Sequence, residues 1–309
     1  MKRKVVQQGP STLMVSLPAI WVREQAINKG DELNVAWDDA GSLIVTKGVY
    51  TKRLVGSFDF KDTKELSDKY ILRVIRSFYR YGYDEVKVTY DTPKILSLIR
   101  ETLTEMIGFE IMEHTQRYCI IKSISETLEQ EFESLFRKLF FQLFEISRLI
   151  RELIQAKVST KEVSFEEQFI SLRRISEVLR RILNKKGYKS KLIDAQMLGI
   201  VVNLRKIGNE YRYIYRNVSN RKYLNVNTYF KVVEQMLHEY HDAFFKRDDV
   251  LVNSIMAKKE EIFDEKKMMI VDEHKNDTVL LHHLSIIIRR IHDICEAYFA
   301  ITFKEQFDK

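Results

Sequence analysis

Residues 2–47 read "KRKVVQQGPSTLMVSLPAIWVREQAINKGDELNVAWDDAGSLIVTK". Val5 and Val6 lead into a polar turn, Gln7-Gln8-Gly9-Pro10-Ser11-Thr12. After it Leu13, Val15 and Leu17 alternate with Met14 and Ser16 in the two-residue period of a strand. Pro18 stands where a helix can begin, because its fixed φ suits the first helical position and its missing N–H is not needed there. Ala19 to Ala26 are long enough for about two turns before Lys29-Gly30-Asp31 ends them. Leu33, Val35 and Trp37 alternate up to Asp38-Asp39-Ala40-Gly41, and Leu43 and Val45 alternate down from it, as in a hairpin. The expected order is strand, strand, short helix, hairpin.

Charge is unevenly spread over this segment. Residues 1–30 carry Lys2, Arg3, Lys4, Arg23 and Lys29 against the single acid Glu24. More than half of the formal excess of the chain, +7 from 51 Lys and Arg against 44 Asp and Glu, therefore sits in its first tenth. Cations around a small polar turn can grip phosphates and reach base edges in a groove; a solvated basic terminus is the plainer alternative.

Outward from residue 47 the punctuation changes. All three prolines (Pro10, Pro18, Pro93) lie in the first third, and beyond Ser123 there are only three glycines, Gly187, Gly199 and Gly208. Residues 50–122 alternate candidate strands (54–60, 86–90, 109–113, 118–121) with candidate helices (63–81, 93–107), the pattern of a small α/β layer. From 123 to 309 the chain reads as about six helices. The first is marked by apolar residues at three- and four-residue spacing from Leu128 to Leu153; the others lie near 164–185, 190–218, 223–247, 249–271 and 275–305. Leu204-Arg205-Lys206-Ile207-Gly208-Asn209 in the third and Ile288-Arg289-Arg290-Ile291-His292-Asp293 in the sixth match in their apolar and basic positions, as two related three-helix units would.

The chain has 309 residues, 45% hydrophobic and 31% charged, which fits a globular multidomain protein and not a disordered one. No apolar run approaches the roughly 18 to 20 residues of a membrane span, and a polar Gln7-Gln8-Gly9-Pro10 follows the basic start where a signal peptide needs an apolar core. A cytoplasmic location is expected. Cys119 and Cys295 form no CxxC pair and read as buried thiols.

Residues 3–47, with their Ser11-Thr12-Leu13-x-Val15-Ser16-Leu17-Pro18-x-x-Trp21-Val22 core, resemble an AbrB/SpoVT-type swapped-hairpin domain. In that family two chains interlock their hairpins into one barrel, and basic residues of the first strand, turn and short helix contact DNA. The resemblance implies DNA contacts from Arg3, Lys4 and Arg23, with Gln8 and Ser11 of the turn nearby and Lys2 and Lys29 adding charge. The pattern departs at Val22, where a second arginine is common, and at Pro10, where an arginine often follows the turn glycine; weaker or less specific binding would follow. A 45-residue module without metal or disulfide buries little apolar surface alone, so a homodimer is expected on physical grounds too.

Residues 123–305 resemble PhoU, a regulator associated with phosphate uptake, through the two three-helix repeats and the closing-helix segments quoted above. The resemblance implies a multidomain α+β chain: residues 1–49 a swapped-hairpin β-barrel, 50–122 a small α/β domain, 123–309 a helical bundle of two repeats. PhoU proteins often hold metal clusters through Glu-x-x-x-Asp pairs on the closing helices. Here Arg205 and Arg289 stand at the glutamate positions and Asn209 at the first aspartate, leaving only Asp293, so neither metal nor cofactor is expected.

His238-Glu239-Tyr240-His241 is one residue short of HExxH, and His282, His283 and His292 read as ordinary surface or partly buried histidines. The basic aromatic runs 76–81 and 211–216 read as helix faces that pack their rings while arginines reach solvent. Arg173-Arg174, Arg180-Arg181 and Lys185-Lys186 read as a solvated helix face. Neither a Gly-rich phosphate loop nor a GxSxG elbow is present, so no enzymatic activity is expected. The expected function is a DNA-binding transcriptional regulator of phosphate uptake or homeostasis. The alternative is an adaptor that controls a phosphate transporter or signalling kinase by protein contact, its N-terminal module only dimerising.

Overall fold

A computed structural model describes residues 2–37, 41–47, 53–60, 66–124, 131–155, 164–218, 226–263 and 278–307. The chain divides into two compact units, Met1–Lys52 and Arg53–Lys309. It is a mixed α+β protein with strands at the N-terminal end and a helical C-terminal region. Among the described residues no helix is long and apolar enough to cross a membrane.

In the first unit β1 (Val5–Gln7) pairs antiparallel with β2 (Leu13–Val15), Val5 opposite Val15 and Gln7 opposite Leu13. A short α1 (Ala19–Glu24) follows Pro18, and the antiparallel pair β3 (Asn34–Trp37) and β4 (Leu43–Thr46) comes after it. α1 is shorter than the expected 19–26 because Ala26 turns left-handed at φ 50°. The hairpin tip 38–40 lies outside the described residues. The closed barrel implied by the resemblance is not found in the single chain. Its strands make two separate two-stranded sheets, because three- and four-residue strands leave every outer edge unpaired within one copy.

The second unit begins with a four-stranded sheet in the order β5-β6-β8-β7. β5 (Val55–Phe60) and β6 (Glu85–Tyr90) are parallel, joined through α2 (Asp68–Arg80); α3 (Pro93–Leu103) leads to the hairpin β7 (Phe109–His114) and β8 (Tyr118–Ser123), with β8 antiparallel to β6. Ser67 caps α2 by accepting the Tyr70 N–H. Val86, Val88 and Tyr90 are buried while Glu85, Lys87 and Thr89 between them are not, so one face of the sheet meets the helices. Burial pushes the Cys119 thiol up to about 12, and Cys295 likewise. Both are buried free thiols, as expected.

Among the described residues six helices follow: α4 (Phe132–Ile154), α5 (Phe165–Lys185), α6 (Lys191–Asn217), α7 (Val226–Lys246), α8 (Asp249–Phe263) and α9 (Thr278–Phe307). Buried Phe132, Phe136, Leu139, Leu143, Ile146 and Ile150 trace one stripe of α4. Among the described residues one hydrophobic core runs from Phe60 in the sheet to Ile301 in α9.

Gly208 is where α6 comes closest to its neighbours. A Cβ there would lie 2.0 Å from Leu172 Cδ2 on α5 and 3.6 Å from Leu143 Cδ2 on α4, and both leucines are buried. Gly208→Ala is therefore expected to destabilise the unit by about 1–3 kcal/mol through overpacking, despite alanine's better helix propensity. A urea midpoint at or above that of the wild type would show that Leu172 moves aside freely.

The α/β layer is fastened to the helices through α5. Glu177, 2% exposed, accepts from Arg80 of α2 at 2.5 and 2.8 Å. Glu105, just after α3, accepts from Arg76 and from Arg173 of α5. Asp84 pairs with Lys185 and accepts the Leu54 N–H at 2.9 Å. Gly82, at φ +84°, lets the end of α2 come so near α5 that a Cβ would sit 2.7 Å from Lys185 Cβ. The expectation of a solvated basic face on α5 is thus corrected for Arg173, Arg180, Arg181 and Lys185, which are inside this junction.

Candidate nucleic-acid interface

Lys2, Arg3 and Lys4 run into the open end of the β1–β2 ribbon, and Arg3 donates to Ser16 Oγ at 3.4 Å, just beyond β2. Gln8 and Ser11 occupy the turned end, where the Gln8 N–H donates to the Thr12 carbonyl at 2.8 Å. Three paired residues separate the two ends, roughly 10 Å of strand. One chain therefore does not gather these groups at a point; it spaces them along a ribbon. Arg23 lies in the last turn of α1 and donates its Nε to the Ala19 carbonyl at 3.4 Å, and Lys29 is in the exposed loop that follows.

All seven of these side chains are exposed. Among the described residues Lys2, Arg3, Lys4, Arg23 and Lys29 have no acid partner. Asp31, by contrast, is occupied: Lys47 hydrogen-bonds to its carboxylate and, with the Asn28 N–H, holds its carboxyl below the usual range. Lys47 also donates to the Ala26 carbonyl at 2.6 Å, tying the end of β4 to the loop after α1.

The apolar side chains of the unit are in the same position as its cations. Among its described side chains none is buried. Val5 is 62% exposed, Val6 58% and Leu13 71%, and Met14, Val15, Ile20, Val35 and Leu43 are exposed as well. Val5 and Val6 point to opposite faces of the ribbon, so both faces are apolar and open. Covering a Val, Leu, Ile or Met side chain contributes about 1.5–3 kcal/mol. Eight of them represent on the order of 10 kcal/mol, as much as the whole stability of a typical domain. A two-stranded ribbon left bare does not hold itself in water.

Elsewhere, among the described residues, no three His, Cys, Asp or Glu side chains come together as a metal site. His238 stacks on Phe144 with ring centroids 3.8 Å apart, His241 bonds Asp242 at 2.9 Å, and His283 bonds Glu210 at 2.8 Å. Arg205 hydrogen-bonds Asn209, and Arg289 stacks on Phe263 at 4.8 Å. Arg76, Arg80 and Arg212, expected to reach solvent, instead pair with Glu105, Glu177 and Glu166, and the groups missed from sequence are Asp84, Glu105 and Glu177. The only signal was that Arg173, Glu177, Arg181 and Lys185 recur every four residues on α5, which marks a stripe without naming what covers it.

Comparison with protein-family models, with curated proteins and with solved structures finds no match to this chain.

Proposed function

We propose that the chain is a DNA-binding transcriptional regulator of phosphate uptake or phosphate homeostasis, acting in the cytoplasm as a homodimer. Two copies of the first unit cover each other's apolar ribbons, and the helical region senses or relays phosphate status. The supporting observation is the set of exposed cations Lys2, Arg3, Lys4, Arg23 and Lys29, which meet no acid among the described residues, on a unit none of whose described side chains is buried. Internal ion pairs would make such charges unavailable; unpaired, they attract a polyanion and release its counterions. Gln8 and Ser11, at the ribbon tip, are the groups placed to reach base edges. The regulatory role and the phosphate connection rest on the resemblance of residues 3–47 and 123–305.

The test is duplex binding as a function of salt. The wild-type protein is expected to bind with a steep negative dependence of log K on log salt. In Arg3→Ala/Lys4→Ala/Arg23→Ala the slope should shrink by about 0.9 for each phosphate that is no longer neutralised, up to about 5 for a dimer. Affinity near physiological salt should fall at least about 100-fold. If the triple variant binds duplex with unchanged affinity and slope, the DNA assignment is refuted; if neither protein binds duplex while both dimerise, the adaptor alternative stands.

A further inference from the structure

α5 packs against both α2 and α6, and its Arg173 lies within Coulombic reach of Arg76 on α2 and of Arg205 and Arg212 on α6. Arg76 and Arg173 share the two oxygens of one carboxylate, Glu105, and Arg212 pairs with Glu166. Arg205 has no carboxylate partner among the described residues; its hydrogen bond goes to the neutral Asn209 amide. The Nε–H groups of Arg76, Arg173 and Arg212 are buried without an acceptor among the described residues. Burial, then the charge of Arg173, brings the Arg205 guanidinium down to about 10 against the attraction of Glu177 and Glu105, and Arg212 adds to the repulsion. Burial is likewise the main cause that lowers Arg173, with Arg76 and Arg212 acting in the same direction. Among the described residues these four half-buried guanidinium groups hydrogen-bond only two carboxylates, Glu105 and Glu166, and three of their Nε–H groups lack an acceptor, which leaves a deficit of acceptors. A tetrahedral oxyanion supplies them, since each of its oxygens can accept from a planar fork.

We propose that Arg76, Arg173, Arg205 and Arg212 bind a phosphate-bearing anion at the junction of the α/β layer with α5 and α6. The anion bridges α2 to α6 across Arg173, so occupancy tightens the layer against the helices. This deepens the proposed role of the helical region in phosphate status. Because it is measured without DNA, it stands or falls separately from duplex binding.

The experiment is calorimetric titration of the full chain with inorganic phosphate in one arm and ATP in the other, with melting curves in phosphate-free buffer. Saturable binding of one anion per chain is expected, and the arm that binds tighter identifies the source of the phosphate group. Arg205→Gln and Arg173→Gln should each weaken binding about tenfold or more, whereas Lys206→Gln, on the exposed side of α6, should not. Removing Arg205 relieves like-charge repulsion, so Arg205→Gln should melt at or above the wild type without anion and lose the rise in melting temperature that phosphate causes. Absence of saturable binding in both arms up to millimolar concentrations overturns the proposal. So does binding that survives both glutamine variants, or an Arg205→Gln protein that melts below the wild type in phosphate-free buffer.

Discussion

Arg181→Met is expected to lower the unfolding free energy of the second unit by about 3–5 kcal/mol, the loss typical of removing one partner from a buried charged network. Arg181 is 8% exposed. It donates through Nη1 to the carbonyls of Tyr79 at 3.0 Å and Tyr83 at 2.8 Å, and its Nη2 lies 3.7 Å from Asp84. It also stacks over the rings of Tyr79 at 5.1 Å and Phe109 at 4.9 Å. Methionine fills the space of the stem but takes the side-chain donor from the Tyr83 carbonyl, leaves the Tyr79 carbonyl to the Gly82 N–H and leaves Lys185 as the remaining cation on Asp84. Arg181→Lys should recover little, because an ammonium has no fork to span two carbonyls while lying flat on a ring. Both Trp residues lie in the first unit, so the reporter is far-ultraviolet dichroism in urea. A loss below about 1 kcal/mol at unchanged m would mean that apolar packing alone fastens the layer to α5.

The second large effect concerns association. Leu13→Glu/Val15→Glu puts two carboxylates on one face of the β1–β2 ribbon, where the single chain already exposes both side chains to water. Within one copy the change should therefore stay within about 0.5 kcal/mol per site. In a dimer that covers this face the carboxylates are desolvated without partners, at several kcal/mol each. The dissociation constant should rise at least about a hundred-fold, read by sedimentation velocity across a dilution series. A variant that remains dimeric at every concentration of the series would place the interface elsewhere.

Local order was legible because local rules produce it. Scarcity of proline and glycine past Ser123, with apolar residues at three- and four-residue spacing, led to helices near 190–218 and 223–247; the structure has Lys191–Asn217 and Val226–Lys246. The expected helix 249–271 is described as Asp249–Phe263, its remainder lying outside the described residues. Likewise the expected 63–81 is described as Asp68–Arg80, with 61–65 outside. The expected helix 93–107 ends earlier, at Leu103, where the Thr102 and Thr104 hydroxyls bond back to the carbonyls of Leu98 and Glu101 and the chain turns toward Gly108. Among site residues, the exposure of Lys2, Arg3, Lys4, Arg23 and Lys29 followed from type and position. The fate of the α5 cations did not, because Arg173 and Arg181 look alike in sequence whether they face water or a carboxylate far back in the chain, Glu105 for Arg173 and Asp84 for Arg181.

The order of strands and helices, the uneven charge of the first thirty residues and the apolar stripe of each helix were all written in the amino acids themselves, since propensity and periodicity act over a few residues. Which charged stripe is buried, that Glu177 and Glu105 hold the layer to α5, and that Arg205 comes within Coulombic reach of Arg173 while hydrogen-bonding Asn209 depended on elements far apart in the chain coming together. Desolvation and Coulomb interactions depend on distance in space, and spacing along the chain does not reveal it.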